Sequence, residues 1–425
     1  MAGRDTIVAL SSGRLPAAIG IVRASGPGAL ELAGALAGAL PEARHAVLRR
    51  FVDPVSGEEI DRGLLLLFPG PDSATGEDLV EFHLHGSRAV VDRLLGAALA
   101  MASVRLAEPG EFTRRALTNG RIDLIEAEGL AELLAAETEL QRRAAQSRAG
   151  GGVSRLLEEW RQRLLSLAAA AEIAIDYADE EDGADAPSIA APALALAKDI
   201  ERRLDAPRID RLRDGFRVVL AGPPNAGKSS LLNALAQSDR AIVAPIAGTT
   251  RDSIEVPVSR DGVPLVLIDT AGLRRDGGDV VERLGIARAQ QEIGDADLIL
   301  WLGPGEPPAD RPVLALSPKS DIVTPVVGRL AVSARTGEGL EAVWAAINDQ
   351  LARRIPAISD LALSHREAGL LEEIATFLRA AADVVDPLVA SEELRAARFG
   401  LDRLTGRAGV EDLLDTLFGR FCVGK

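Results

Sequence analysis

The segment Gly222-Pro223-Pro224-Asn225-Ala226-Gly227-Lys228-Ser229-Ser230 fits the pattern GxxxxGK[ST]. It lies between the apolar run Arg217-Val218-Val219-Leu220-Ala221 and a leucine-rich stretch of helical spacing. Strand, glycine-rich loop and helix in that order constrain a chain more than any other feature here. The glycines let backbone N–H groups close around phosphate oxygens, Lys228 reaches the β- and γ-phosphates, and the Ser229 hydroxyl is a ligand for Mg²⁺. Residues Asn225, Ala226, Gly227, Lys228, Ser229 and Ser230 are therefore the expected phosphate-binding segment of an α/β nucleotide-binding domain.

Further pieces follow in the order of a switch GTPase. The buried-strand pattern Pro264-Leu265-Val266-Leu267-Ile268 ends at Asp269-Thr270-Ala271-Gly272, where an aspartate holds Mg²⁺ through water. Between the two lies the polar loop Gly248-Thr249-Thr250-Arg251-Asp252, whose Thr250 completes the Mg²⁺ shell only while a γ-phosphate is present. Pro318-Lys319-Ser320-Asp321 stands after an apolar run where such proteins carry Asn-Lys-x-Asp, and Ser333-Ala334-Arg335 follows at the next strand end. The Asp321 carboxylate accepts from both N1–H and the N2 amino group of guanine, which adenine does not offer. GTP and GDP are thus the expected nucleotides, with Lys319, Ser333, Ala334 and Arg335 around the base. Pro318 cannot supply the amide that Asn would.

Leu273 stands where a Ras-like enzyme orients the attacking water with glutamine, and leucine cannot do so. Two residues offer a substitute: Asn225 inside the phosphate loop and Glu282 beyond the second switch. By spacing alone, Glu282 reads as a solvated carboxylate at a helix start.

At 425 residues, two or three domains are expected. A formal net charge of -15 argues against autonomous nucleic-acid binding through phosphate contacts, which needs clustered Lys and Arg. The single cysteine, Cys422, excludes a disulfide framework and points to a reducing compartment. With no apolar leader and no run long enough for a bilayer, a cytoplasmic protein without membrane association is expected.

Residues 1–118 read as strands and short helices, with β-like runs at Ile19 to Val22, Gly63 to Phe68 and Leu79 to His85. From residue 119 to 212 the period becomes helical, with Leu130, Leu133 and Leu134 and then Leu157, Trp160, Leu164 and Leu167 as the apolar stripe. The nucleotide domain occupies 213–355. Over 356–425 helical spacing returns in Leu370, Ile374, Phe377 and Leu378, and again in Leu413, Leu414, Leu417 and Phe418. The simplest architecture inserts a Ras-like P-loop domain into a helical domain built from both flanks, with a hinge at the insertion. In Leu79 to His85, period-2 alternation puts Glu81, His83 and His85 on one strand face, Glu81 being suited to accept hydrogen bonds from a polar ligand.

Together with Asp5-Thr6-Ile7-Val8-Ala9, Phe68-Pro69-Gly70-Pro71, Thr75-Gly76-Glu77-Asp78, Pro109-Gly110-Glu111-Phe112-Thr113, Asn119-Gly120-Arg121 and the terminal Phe421-Cys422-Val423-Gly424-Lys425, these residues resemble the tRNA-modification GTPase family called MnmE or TrmE. The resemblance covers nearly the whole chain. It implies an N-terminal α/β domain that dimerises and binds a folate, a helical domain, and a K⁺-stimulated GTPase domain. Carried over residue by residue, Arg23, Glu81, Arg121 and Lys425 contact 5-formyl- or methylene-tetrahydrofolate. Asn225 becomes a K⁺ ligand, joined by backbone carbonyls of the loop Ala244, Pro245, Ile246, Ala247, Gly248 and Thr249, chiefly those of Ala244, Ile246 and Thr249. Glu282 becomes the residue that orients the hydrolytic water. The implied reaction, in a heterotetramer with an FAD-dependent partner that holds most of the tRNA, adds an aminomethyl-type group to C5 of the wobble uridine. A ribosome-assembly GTPase switch is the alternative, and it would be expected to carry a basic RNA-binding appendage, which this sequence lacks. A third reading is a folate-dependent one-carbon transferase with a regulatory G domain.

Overall fold

The structure is a computed structural model, and it describes residues 5–176, 188–206, 208–238, 254–270, 290–307, 311–352, 354–355, 363–408, 414, 417–419, 421 and 423–424. The chain forms two compact units. One comprises Met1–Ala131, Arg148–Gln162 and Arg398–Lys425, the other Glu132–Ser147 and Arg163–Ala397.

In the first unit, β1 (Thr6–Leu10), β2 (Ile19–Ser25), β3 (Val47–Val52), β4 (Glu59–Phe68), β5 (Leu79–His85) and β6 (Val104–Leu106) form one sheet in the order β3-β4-β5-β2-β1-β6. All neighbours are antiparallel except the β1–β6 pair. Alternation decides which side chains go inside. Val22, Ala24, Val80, Phe82, Leu65 and Leu67 pack on one face against α1 (Ala29–Ala37) and α2 (Arg88–Leu99). The rings of Phe51 and Phe82 meet edge to face, with centroids 5.5 Å apart. The opposite face carries Arg23, Glu81 and His83. A short helix, α3 (Glu111–Thr118), leads out of the sheet region.

Three helices follow: α4 (Leu124–Ala135), α5 (Glu139–Ala149) and α6 (Gly152–Asp176). On α6, Leu157, Trp160, Leu164 and Leu167 are all buried. The α4 stripe differs from expectation. Leu134 is 49% exposed and Leu130 and Leu133 are only partly covered, whereas Leu124, Ile125, Ala127 and Gly129 are buried. Close approach is the reason, since a Cβ on Gly129 would lie 2.5 Å from the Ala149 nitrogen. At that contact it is Gly129, and not Leu130, Leu133 or Leu134, that meets the following helix.

In the second unit, α7 (Ala190–Leu204) and α8 (Asp210–Asp214) lead into β7 (Phe216–Ala221), α9 (Lys228–Gln237), β8 (Ile254–Arg260), β9 (Val263–Asp269), β10 (Leu298–Trp301), β11 (Val313–Pro318), β12 (Leu330–Val332) and α10 (Leu340–Ala352). The sheet order is β12-β11-β10-β7-β9-β8, parallel throughout except for β8. Strands covered on both faces read as near-continuous apolar runs, and β7 and β9 are buried at almost every position. The chain then returns through α11 (His365–Asp383) and α12 (Pro387–Thr405). Helix α11 opens with a capping box between Ser364 and Glu367 and buries Leu370, Ile374 and Leu378, while Phe377 is only partly covered. Leu413 lies outside the described residues.

The core of this P-loop domain begins before residue 213, because Ile209 and Leu212 are buried within it. The entering and leaving segments are also tied together. Ile209 N donates to Leu363 O (3.1 Å) and His365 N donates to Asp210 Oδ2 (2.8 Å). Gln141 of α5 adds a hydrogen bond from its amide to Leu212 O (3.0 Å).

Phe82→Ala should lower stability by about 3–5 kcal/mol, because it removes a fully buried ring and its aromatic partner contact. Amide hydrogen exchange should accelerate in β4 and β5 while β7 and β9 keep their protection.

Candidate functional site

Among the described residues, each piece expected to bind nucleotide stands at the carboxyl end of a parallel strand. This is where open α/β sheets bind ligands, next to the strand at which the connection reverses direction. The phosphate loop follows β7, Asp269 ends β9, the 318–321 loop follows β11, and Ser333 follows β12. Chain direction on the two sides of β7 puts these ends side by side.

The loop's path depends on left-handed backbone at Asn225 (φ 62°) and Gly227 (φ 95°), the latter immediately before α9. Gly222 packs so closely that a Cβ would meet the backbone of Leu302 at 3.2 Å. Within the loop, the Lys228 ammonium donates to Gly222 O (3.0 Å) and Pro223 O (2.9 Å). The Ser229 hydroxyl donates to Asp269 Oδ2, and Thr270 Oγ1 donates to Leu220 O (2.8 Å). A hydroxyl and a buried carboxylate oxygen in contact form the hard-oxygen donor set that Mg²⁺ takes.

On the base side, Asp321 accepts from Ser333 Oγ (2.6 Å) and forms an ion pair with Arg335 (2.6 Å). The Ser333 hydroxyl first, and then Arg335, hold the Asp321 carboxyl below the ordinary carboxylate range. Its acceptor function is thus present at neutral pH and is lost only as pH falls through that lowered value. Lys319, at φ 60°, spans to the phosphate loop and donates to Asn225 O (2.9 Å). The Pro/Gly-rich segment after β10 is held by Arg329, which bonds the carbonyls of Gly303, Pro304 and Gly305, and by Trp301 Nε1, which donates to Gly305 O (3.0 Å).

The residues Ala244, Pro245, Ile246, Ala247, Gly248, Thr249 and Thr250, together with Ala271, Gly272, Glu282, Cys422 and Lys425, lie outside the described residues.

In the N-terminal sheet, Arg23 and Glu81 are opposite each other in the β2–β5 register and form an ion pair at 2.7 Å. The Arg23 guanidinium also stands 5.8 Å over the Phe112 ring. Glu81 Oε2 is 3.1 Å from His83 Nε2. Burial pushes the Glu81 carboxyl up, but hydrogen bonds from Arg23 and His83 outweigh it and leave the group below its usual range. Arg121 contacts Asp72 (3.4 Å) instead of this pair.

Sequence reasoning missed a partly buried ionic network. Arg115 pairs with Glu77 (3.0 Å), Glu111 (3.0 Å) and Asp5 (3.1 Å), and Arg105 pairs with Asp5 and Glu111, both at 2.5 Å. Burial works against the Arg115 charge, yet Glu77 and Glu111 raise its pKa above the ordinary value. Ser25 Oγ bonds Glu77 (2.9 Å) and meets Thr75 Oγ1 (2.7 Å), while Asn119 Nδ2 donates to Thr75 O (2.7 Å). Glu77 and Glu111 belong to the quoted motifs, but no local pattern singles out Arg105 or Arg115. The chain's last residues join the same unit. Val423 bridges Pro109, and Ser11 Oγ donates to Gly424 O (2.8 Å). Gly424 has φ +99°, and a Cβ there would lie 2.1 Å from Leu10 O.

Among the described residues no helix is long and apolar enough to cross a membrane. The model of the GTP-binding protein TrmE N-terminus matches residues 6–121, and that of the MnmE helical domain matches 124–422, a span that encloses the P-loop domain. The chain is 51% identical over 426 residues to the tRNA modification GTPase MnmE of Erythrobacter litoralis, covering 99% of this chain and 100% of that one. The same-named protein of Novosphingobium aromaticivorans is 50% identical, with 99% and 100% covered, and that of Rhizorhabdus wittichii 51%, with 99% and 97% covered. Among solved structures, the G domain of the T. maritima FeoB iron transporter is 27% identical, covering 32% of this chain and 98% of that one at a TM-score of 0.24. With full-length identity of this order to its relatives and both family models matched, the chain belongs to the MnmE (TrmE) family of tRNA modification GTPases.

Proposed function

We propose that this GTPase is stimulated by K⁺ and acts with an FAD-dependent partner to add an aminomethyl-type group to C5 of the wobble uridine of certain tRNAs, using a one-carbon unit carried on tetrahydrofolate. The observation that carries the hydrolytic part is the contact of Ser229 with Asp269 beside Lys228, on the same loop as the left-handed Asn225. Ser229 and Asp269 would hold Mg²⁺, which neutralises charge between the β- and γ-phosphates. Lys228 exchanges its two loop carbonyls for phosphate oxygens. Asn225, with the backbone of 244–249, would hold K⁺, supplying positive charge where other GTPases use arginine. Glu282 orients the attacking water.

Arg23, Glu81, Arg121 and Lys425 are proposed to bind the reduced folate. The guanidinium groups suit its anionic glutamate tail, and the ionised Glu81 suits the donors of its pterin. The chain would work as a homodimer within a heterotetramer in the cytoplasm. Its net charge of -15 favours a partner that supplies most of the basic surface for tRNA.

The chemical part is tested by mass spectrometry of tRNA nucleosides. Cells lacking the gene should lose the C5-aminomethyl-type uridine, and an unaltered nucleoside profile would refute the reading. For hydrolysis, K⁺ should accelerate turnover over Na⁺, by up to about 10³-fold if the ion replaces an arginine finger. Glu282→Ala should lower kcat with GDP affinity unchanged, since it acts on the water and not on the phosphates. Equal rates in the two salts, or a variant as fast as the parent, would remove the assignment. Folate titration checks the N-terminal site. Arg121→Ala, deletion of Lys425 and Gly424→Ala, which obstructs the tail's approach to Leu10, should each weaken 5-formyl-tetrahydrofolate binding and spare GDP binding.

A further inference from the structure

Guanine presents two recognition edges. One carries the N1–H and N2 amino donors, and the other carries the acceptors O6 and N7. A carboxylate accepts only, so Asp321 serves the first edge. Within the 318–321 loop, Pro318, the Lys319 ammonium and the Ser320 amide offer no free donor to N7. Pro318 ends β11 opposite Val332 of β12 and has neither an N–H nor a side-chain donor. The Lys319 ammonium is directed to Asn225 O (2.9 Å), and Ser320 N donates to Val332 O (3.2 Å). Ser320 Oγ is buried and makes no hydrogen bond among the described residues.

The loop is nevertheless held in place from other positions. Asp321 is tied to Ser333 and Arg335, Lys319 O accepts from Ile322 N (3.0 Å) and Val323 N (2.9 Å), and Lys319 reaches across to the phosphate loop. A proline at 318 is tolerated because these ties fix the loop without any contribution from its side chain. We propose that position 7 of the purine goes unread in this protein, that the 318–321 loop recognises guanine through the N1/N2 edge by way of Asp321, and that residue 318 sets this selectivity. The ligand class therefore extends to guanine nucleotides with carbon in place of N7. The proposal rests on the assignment of Asp321 to guanine.

Calorimetric titration of the full-length protein with GDP, 7-deaza-GDP, IDP and ADP tests both levels. GDP and 7-deaza-GDP should bind within about twofold of each other, because no donor is lost. IDP, which lacks the N2 amino group, should bind about tenfold or more weakly, as expected for losing a hydrogen bond to a charged acceptor. In Pro318→Asn, GDP should tighten several-fold while 7-deaza-GDP stays unchanged, which creates a preference that the parent lacks. A parent that loses fivefold or more with 7-deaza-GDP overturns the proposal. If that loss disappears in Ser320→Ala, the Ser320 hydroxyl is the N7 donor, and the proposal is likewise wrong. GDP binding no tighter than ADP would instead defeat the assignment of Asp321. The comparison within the parent protein is decisive by itself, so the test does not depend on how well the Pro318 variant folds.

Discussion

The nucleotide half of this molecule depends on a cation held by backbone. Lys228 follows directly on a left-handed glycine, and its ammonium is bonded to two carbonyls at the start of the same loop. A charge in that position, with only 6% of the residue exposed, needs compensation for lost solvation. The two carbonyls supply it. The loop is pre-shaped because Gly222 packs against the backbone after β10 and Lys319 binds Asn225 O. The glycine-rich loop and the 318–321 loop are therefore joined through the Lys319 side chain.

The N-terminal unit has a different organising element. Three carboxylates, Asp5, Glu77 and Glu111, share the two guanidinium groups of Arg105 and Arg115. Arg115, Glu77 and Glu111 are largely covered, so removing one of them leaves a charge without its compensation, whereas Asp5 and Arg105 are partly exposed and solvent screens their share. Such a network enforces one arrangement of the strands and loops that supply it. It joins the entry to β1, the loop before β5 and the start of α3. Through Ser25, Thr75 and Asn119 it extends to the backbone just before Arg121. The Arg23–Glu81 pair lies on the same sheet face, one alternation from Ser25, so the half-buried charges proposed to meet folate stand on a rigid base.

The terminal segment depends on a single backbone geometry. Gly424 occupies left-handed space beside Leu10, where any side chain would collide with a carbonyl. The bridge from Val423 to Pro109 and the bond from Ser11 hold the segment against the start of the chain. Two ends of the sequence thus share one unit.

Local signals were enough for the sequence to specify the glycine-rich loop, its flanking strand and helix, and the strands at 19–22, 63–68 and 79–85. Each of these depends on spacing within a dozen residues, where backbone geometry dictates side-chain direction. The sequence also placed Arg23 and Glu81 in its proposed folate set through family resemblance. Only tertiary structure decided that these two face each other across β2 and β5, that His83 shares the carboxylate, and that Arg121 turns to Asp72. It alone placed Arg115 among three acids up to 110 positions away. The same holds for α4, where the leucine spacing pointed to one stripe and Gly129 buries another. A helix's own periodicity ranks its faces by hydrophobicity, but how closely a neighbour can approach depends on side-chain volume at the contact, and that is fixed only when both surfaces are present.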